Sequence, residues 1–443
     1  MVDLIVIGAG SGGLAASKRA AAAGQTVALI ENDSIGGTCV TYGCVPKKLW
    51  HVISQFKHQA TAANHHGWSF GTPTFDWAHV QPRLVDYVSS LNQRHEQKCI
   101  DLGIQIIRGT ARLVSPTSIE VNGELIDGKR ILIAVGSKAV RLPIPGAELC
   151  DTSYEFFSWD HLPSSVVIWG GGYIAVELAS ILNGLGSKVD LIIRQPKVLR
   201  GFDEDLRHFL QDRYTQRGLT IHTDTTIESI GKIENRLQVL CANGTNIVTD
   251  KVIQALGRVP FSETLNCDGV GVETTHNGAI VVNDNYQTSV PSISALGDCI
   301  DQVQLTPVAI AQAREWVDKV LLNKTFPVDY NMIPTAVFSH PEAGTVGFSE
   351  DEAREKFDDI SVRKLQFNPL TMALTDTHKE PVFIKLIMRG DDQHVIGLHV
   401  CCESAAEIAQ SLGVAMQKGI TKADLDLTMA LHPSVMEELV TLY

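Results

Sequence analysis

The sequence predicts an α/β fold: two Rossmann-like dinucleotide-binding domains followed by an α+β C-terminal domain. Three observations carry this. "DLIVIGAGSGG" opens as an apolar run that turns through glycines into a helix. "VVIWGGGYIAVELA" repeats that pattern far downstream. Beyond residue 331, "PTAVFSHPEAGTVG", "FIKLIM" and "VIGLHV" change to the short apolar runs of antiparallel strands.

The elements follow in order. Residues 3–8 form a buried strand, residues 12–23 an apolar-periodic helix, and "TVALIE" a second strand ending at Glu31. "ILIAVGSKAVRLPIPG" is a strand and a proline-rich crossover, placing a boundary near residue 140. "VVIWGGGYIAVELASILNGLGSKVDLIIR" is the second strand–helix–strand unit, and "KVIQALGRVP" closes it near residue 260. "SISALGDCI" reads as a strand ending on Asp298. "AAEIAQSLGVAMQKG" is an amphipathic helix of the last domain. The expected domains are 1–140, 141–260, 261–330 and 331–443.

Bulk properties narrow the function. The chain has 443 residues, 44% hydrophobic, and a mean hydropathy of +0.05, as in globular proteins. No apolar run approaches a membrane span; the alanine-rich first helix is broken by Lys18 and Arg19. The N-terminus enters a strand without a basic region or cleavage site, so no signal peptide and a cytoplasmic location are expected. A net charge of −13 argues against nucleic acid as the main partner. Nine cysteines scattered along so long a chain are not a secreted disulfide framework. The adjacent Cys401 and Cys402 read as small buried residues.

The two glycine turns carry the cofactor reading. Gly8, Gly10 and Gly13 satisfy G-x-G-x-x-G. The first allows a tight turn, the second a close approach of pyrophosphate, and the third tight helix–strand packing. The helix N-terminus then offers N–H groups and a positive dipole to phosphate. Glu31 stands where an acid accepts hydrogen bonds from ribose hydroxyls. Gly170, Gly172 and Ala175 give G-x-G-x-x-A, but the following strand ends in Arg194 with Arg200 six residues later. Arginines grip a 2′-phosphate where an acid would repel it, so the second site is expected to prefer NADPH. The first then suits a flavin dinucleotide acting as electron relay, with Asp298 available to its ribityl chain.

"GGTCVTYGC" holds Cys39 and Cys44. Zinc would need further Cys or His ligands at suitable spacing, and the nearest histidine is His51. A structural bridge closing so small a loop would stabilise little. A redox pair suits the compartment and the adjoining dinucleotide unit. Five residues of regular helix rise about 7.5 Å, beyond the usual Cα separation of a disulfide. The chain must therefore leave helix between the cysteines, which Gly43 permits. Pro46 suits the first turn of a helix continuing through "KKLWHVISQF". Cys44 at that N-terminus, near Lys47 and Lys48, is expected to have a depressed pKa. Cys44 is assigned to the flavin side and Cys39 to the substrate side.

"GGTCVTYGCVPKK", "GGGYIAVELA", "RQPKVLR", "ALGRVP", "LTPVAIAQAR", "FSHPEAGTVG" and "HPSVMEELVT" span the chain. In this order they resemble the FAD-dependent pyridine nucleotide–disulfide oxidoreductases, in the branch acting on glutathione disulfide. The resemblance implies FAD-binding, NADPH-binding, central and interface domains, and a homodimer whose active sites use both subunits. It implies NADPH-dependent reduction of a small disulfide, with Cys39 the interchange thiol and Cys44 the charge-transfer thiol. Lys47 matches the lysine beside the flavin, Glu177 its ion-pair partner, and Tyr173 the tyrosine covering the nicotinamide pocket. Thr306 matches a residue beside the flavin, and Thr38 and Arg258 fall within the cofactor-contacting motifs. His432 matches the acid/base supplied by the partner subunit, and Glu437 the acid that orients it. Pro433 is expected to follow a cis peptide.

The resemblance also implies substrate contacts at Ser11, Lys18, Tyr87, His95 and Arg314. Ala15, Lys18 and Arg314 suit a substrate bearing carboxylates rather than a cationic one. With the chain ending "ELVTLY", neither a C-terminal cysteine pair nor a C-terminal redox extension is expected. His95 departs from the tyrosine of related sequences, Arg94 replaces an apolar residue, and Thr41, Tyr42 and Val135 are unusual. Two alternatives therefore stay open. One is a sister reductase for trypanothione or a modified glutathione such as glutathione amide. The other is a non-catalytic flavoprotein with a structural Cys39–Cys44 bridge.

Overall fold

A computed structural model describes residues 1–324, 329–375 and 379–442. β1 (Val2–Ile7) buries Leu4, Ile5, Val6 and Ile7 in succession, the pattern of a parallel strand covered on both faces. α1 (Ser11–Ala22) and β2 (Val27–Glu31) follow within a residue of their expected limits. Next come α2 (Gly37–Thr41), α3 (Cys44–His65), α4 (Trp77–Asp101) and β3 (Gln105–Arg108). β4 (Ala111–Ser115) and β5 (Ser118–Val121) form an antiparallel meander with the start of β6 (Glu124–Ile133). The rest of β6 lies parallel to β1, giving the order β3-β2-β1-β6.

The second unit repeats the plan. β7 (Ser137–Ala139) and α5 (Ser153–Phe156) precede β8 (Ser165–Trp169), α6 (Tyr173–Leu185), β9 (Lys188–Ile192), α7 (Glu204–Gln216) and β10 (Thr220–His222). A meander of β11 (Ile227–Ile233), β12 (Arg236–Cys241) and β13 (Asn246–Thr249) leads to β14 (Lys251–Gln254). The parallel order is β10-β9-β8-β14. β15 (Arg258–Pro260) pairs with β7 as an antiparallel ribbon where the chain crosses between the units.

The chain then returns to the first core. β16 (Ile293–Ala295) adds in parallel to β6. It stops before Asp298, which lies in a short 3₁₀ turn, Gly297–Ile300, rather than at the strand end expected from sequence. α8 (Thr306–Leu321) buries Ala313 and Trp316 in one core with Ile5, Leu29 and Leu132. It runs alongside α1 in the same direction. A Cβ at Gly12 would stand 3.6 Å from that of Ala309, and two turns on Arg19 grips Asp318 with two 2.7 Å hydrogen bonds.

The C-terminal domain holds β17 (Thr335–Val337), β18 (Ala343–Gly347), α9 (Glu350–Lys356), β19 (Ile360–Phe367), β20 (Val382–Arg389) and β21 (His394–Cys401). The antiparallel order is β17-β18-β21-β20-β19. α10 (Ala405–Met416) closes its core, followed by α11 (Lys422–Leu427) and α12 (Glu437–Val440). Among the described residues no helix is long and apolar enough to cross a membrane.

One buried ion cluster joins this domain to the second unit. Lys385 and Asp203 have side chains 1% exposed. The Lys385 ammonium lies 2.8 Å from Asp203, 2.7 Å from Asp205 and 2.8 Å from Glu350. Asp203 also caps α7 through the backbone N–H groups of Asp205 and Leu206. Lys385→Met would strand a buried carboxylate, and breaking such a pair costs about 3–5 kcal/mol. Urea unfolding should show a loss of that size; an unchanged midpoint would contradict this role for the cluster.

Candidate active site

The first glycine turn is shaped by close backbone contacts. Gly8 has φ +100° and sits against the Ala134 carbonyl, so an L side chain is excluded twice. A Cβ at Gly13 would run into the Gly8 carbonyl, which is why α1 can press onto β1. Gly10 meets nothing within 4 Å of where its Cβ would stand. It is the N-cap of α1, without a side-chain cap or an acid in the first turn, leaving that turn's N–H groups open to an anion. Glu31 accepts from Ala9 N at 2.7 Å and Asp33 N at 2.8 Å, so its carboxylate is fixed at the end of β2.

Gly8, Gly10 and Glu31 border a cavity of about 920 Å³ that also reaches Cys39, Cys44, Asp298 and Tyr173. The size is near the upper end for ligand pockets. An uncapped helix N-terminus, a fixed acid beyond it and a cavity that connects both to two thiols fit a flavin dinucleotide. Asp298 accepts from the Ser137 hydroxyl at 2.6 Å. Ser137 in turn accepts from Arg258 Nε at 2.8 Å, so the β7–β15 ribbon ties Arg258 to this first site. Thr38 bonds the Tyr154 hydroxyl at 2.8 Å, and the ring of Tyr154 lies 5.1 Å from that of Tyr42.

Cys39 lies on α2, and Cys44 is the first residue of α3. Between them Tyr42 and Gly43 leave helical geometry, as the sequence required; Gly43 has φ −152° and ψ −114°. Both cysteines are free thiols. The Cys44 pKa is pulled down to about 6, first by a hydrogen bond from Cys39, then by the Thr306 hydroxyl and the Lys47 charge, against burial and Glu177. Cys39 is held far above its ordinary value by the same hydrogen bond and by burial. The pair thus shares one proton, which stays on Cys39 while Cys44 carries the negative charge.

Lys47 pairs with Glu177 at 2.8 Å, and that carboxylate also accepts from Phe338 N at 2.9 Å. Lys48 does not join it at Cys44, contrary to expectation. Its ammonium lies 3.8 Å from the Phe338 ring centroid and 3.6 Å from Glu342. The cause is helical geometry, because consecutive residues diverge by about 100°.

The second turn has the same construction. Gly170 has φ +137° and abuts the Ala255 carbonyl; Gly172 is open, and Ala175 is buried against the unit's core. Tyr173 opens α6. Arg194 and Arg200 are exposed on the segment after β9, which docks to the turn through Leu199 N and Gly171 O at 2.6 Å.

The substrate candidates divide into two groups. α1 and α8 both begin at the thiols, with Ser11 near Cys39 and Thr306 Oγ1 3.5 Å from Cys44 Sγ. Lys18 and Arg314 lie two turns along these parallel helices, and neither has a carboxylate partner among the described residues. Lys18 instead reaches His95 on α4, at 3.2 Å. Tyr87, on the same helix, is 48% exposed. His432 bonds Glu437 at 2.8 Å and follows expectation in preceding a cis Pro433, but it is 80% exposed and does not border the thiol cavity of its own chain. Ser137, Tyr154 and Phe338 escaped sequence reasoning. Only Tyr154 carried a local signal, the Thr152–Glu155 capping box around it.

Two dinucleotide-binding units, a dithiol at their junction and a third antiparallel domain define a flavoprotein disulfide reductase. The chain belongs to the pyridine nucleotide–disulphide oxidoreductase family: that family's profile matches residues 2–313 and its dimerisation domain residues 333–443. Members bind FAD and a nicotinamide dinucleotide, and the dimerisation domain implies a homodimer. The chain is 39% identical to glutathione reductase of Nostoc sp., covering 99% of each. It is 38% identical to the chloroplastic/mitochondrial glutathione reductase of Pisum sativum, covering 99% of this chain and 82% of that one. The solved HOCl-induced flavoprotein disulfide reductase RclA of Escherichia coli superposes with TM-score 0.89 at 28% identity, over 99% of each.

A two-electron-reduced holoenzyme should show long-wavelength thiolate–flavin absorbance that is present above pH 6 and lost as pH falls through about 6. Cys39→Ala cannot form the disulfide, so this variant is titrated with its flavin oxidised; without the hydrogen bond from Cys39 its midpoint should move up toward that of an ordinary thiol. An unmoved midpoint in an anaerobic pH titration would show that Cys39 does not hold the proton.

Proposed function

We propose that this protein uses NADPH to reduce glutathione disulfide to glutathione, with FAD bound in the first cavity and Cys39 and Cys44 as its redox pair. The observation that carries the substrate reading is the pair of parallel helices. Each starts at the thiols and holds a cation with no carboxylate partner among the described residues, Lys18 about 10 Å and Arg314 about 12 Å along. A disulfide with carboxylates at some distance from its sulfurs fits that spacing and charge. The glutathione reductases among its relatives support the same substrate. We read the chain as FAD-binding (1–140), NADPH-binding (141–260), central (261–330) and interface (331–443) parts of a cytoplasmic homodimer.

FAD, when bound, relays the two electrons of NADPH to the cysteine pair. Gly8, Gly10, Gly13, Glu31, Thr38, Asp298, Thr306 and Arg258 bind and orient it, and the Lys47–Glu177 pair sets a fixed charge at its redox end. Gly170, Gly172 and Ala175 seat the nicotinamide dinucleotide, Tyr173 covers its pocket, and Arg194 and Arg200 bind the 2′-phosphate. Ser11, Lys18, Tyr87 and Arg314 surround the disulfide substrate, and His95 acts there through its bond to Lys18.

Because Cys39 keeps the shared proton, it needs a base before it can act as nucleophile. The partner subunit's His432, oriented by Glu437, takes that proton. The Cys39 thiolate attacks one substrate sulfur, forming a mixed disulfide and expelling a glutathione thiolate, which His432 protonates. The Cys44 thiolate then attacks Cys39 sulfur, releasing the second glutathione as thiolate, to be protonated in turn. The pair is left as a disulfide, which the electrons of NADPH return to two thiols.

Steady-state NADPH oxidation with glutathione disulfide, trypanothione disulfide and glutathione amide disulfide tests this reading. Glutathione disulfide should give the highest kcat/KM, at least tenfold above either alternative, and NADPH should exceed NADH by a similar factor, as expected where one charged contact of about 1.4 kcal/mol is lost. Preference for the amide or the cationic disulfide would transfer the enzyme to a sister substrate. Equal use of NADH would remove the role of Arg194 and Arg200.

A further inference from the structure

His95 has no assigned purpose beyond lying near the substrate groove, yet its surroundings are specific. Its Nδ1 lies 3.2 Å from the Lys18 ammonium. An ammonium only donates, so Nδ1 must accept, which leaves the ring proton on Nε2. Burial, together with the charges of Lys18 and Arg94, holds this imidazole below its usual pKa and so keeps it neutral. The charged neighbours are otherwise engaged. Arg94 bonds the Ser90 carbonyl and hydroxyl. Glu96 pairs with Arg108 at 2.8 Å, and Asp318 is gripped by Arg19.

Lys18 is therefore a cation held in place by a neutral acceptor, on a protein whose net charge is −13. A carboxylate in place of His95 would neutralise it; an imidazole fixes its position and leaves its charge available. One helical turn before His95, Asn92 donates to Thr41 at 3.3 Å. Thr41 belongs to the same helix as Cys39. The α4 face that carries Asn92 and His95 thus locks both the thiol helix and the cation two turns down α1.

We infer that His95 is a positioning residue and specificity determinant, holding the Lys18 ammonium where a carboxylate of the disulfide substrate docks. The inference rests on the glutathione disulfide reading. It selects disulfides that carry free carboxylates over those in which they are blocked, and it acts on binding rather than on the sulfur chemistry.

The test measures KM and kcat of the holoenzyme and its His95→Phe, His95→Gln and Lys18→Met variants, with glutathione disulfide and with its tetraethyl ester. Loss of a hydrogen bond to a charged group predicts that His95→Phe raises KM for the acid form about tenfold. The kcat should stay within about twofold, and KM for the ester should not change, because no charge is bound there. His95→Gln restores an acceptor and should return KM to within about threefold of the natural enzyme. An unchanged KM in His95→Phe, or an equal rise for acid and ester, would overturn the inference. If Lys18→Met raises KM for the acid form while His95→Phe does not, only the positioning role fails. If neither variant changes it, or the natural enzyme does not reduce glutathione disulfide, the substrate reading fails with it.

Discussion

The pairing of Cys39 and Cys44 over one proton constrains the rest of the site. Two thiols sharing one proton need a break in the helix between them, a helix N-terminus under one, and hydroxyls and a cation around both. Tyr42 and Gly43 supply the break, and the start of α3 puts Cys44 at a helix N-terminus. Thr306 and Lys47 lower the Cys44 pKa further. The consequence is a division of labour. Cys44 holds charge beside the dinucleotide cavity, and Cys39 holds the proton facing Ser11.

That arrangement requires its supports to come from distant parts of the chain. Thr306 is brought to the thiols because β16 extends the first sheet and α8 packs along α1. Glu177 reaches Lys47 from the second unit, and Phe338 fixes Glu177 from the C-terminal domain. The same parallel packing sets Lys18 and Arg314 each about two turns along its helix from the thiol end. Sheet order and helix direction therefore place these two cations, and in this account the substrate's carboxylates with them. In this account the remaining element, His432, comes from a second copy of the chain.

Much of this was legible in the sequence because it rests on local rules. Glycines needed for backbone contact, an acid at the end of a strand and a broken helix between cysteines are each written in a few adjacent residues. The first β–α–β unit fell within a residue of expectation for that reason. Non-local effects were not legible. Lys47 and Lys48 are chemically alike in sequence, and both lie over Phe338, but the first pairs with Glu177 and the second with Glu342. Asp298 looked like a strand end, but β16 stops earlier and a 3₁₀ turn presents it. Ser137, Tyr154 and Phe338 were not singled out by sequence, although a capping box surrounds Tyr154 and Phe338 opens "FSHPEAGTVG". Their roles arise from the β7–β15 ribbon and the domain packing, which no short stretch encodes. His95 was visible as an unusual residue at a position expected to contact substrate; its bond to Lys18 depends on how α4 packs on α1.

The central claim is that Cys39 keeps the shared proton and depends on His432 of the partner subunit to lose it. Cys39→Ser and His432→Ala subunits, each crippled as homodimers, can be combined in one purified heterodimer. One of its two sites then carries an intact Cys39 and an intact partner His432, while the other lacks both. The account predicts about half the activity of the natural dimer, as symmetric shared sites require. Activity no greater than that of the two defective homodimers would contradict it.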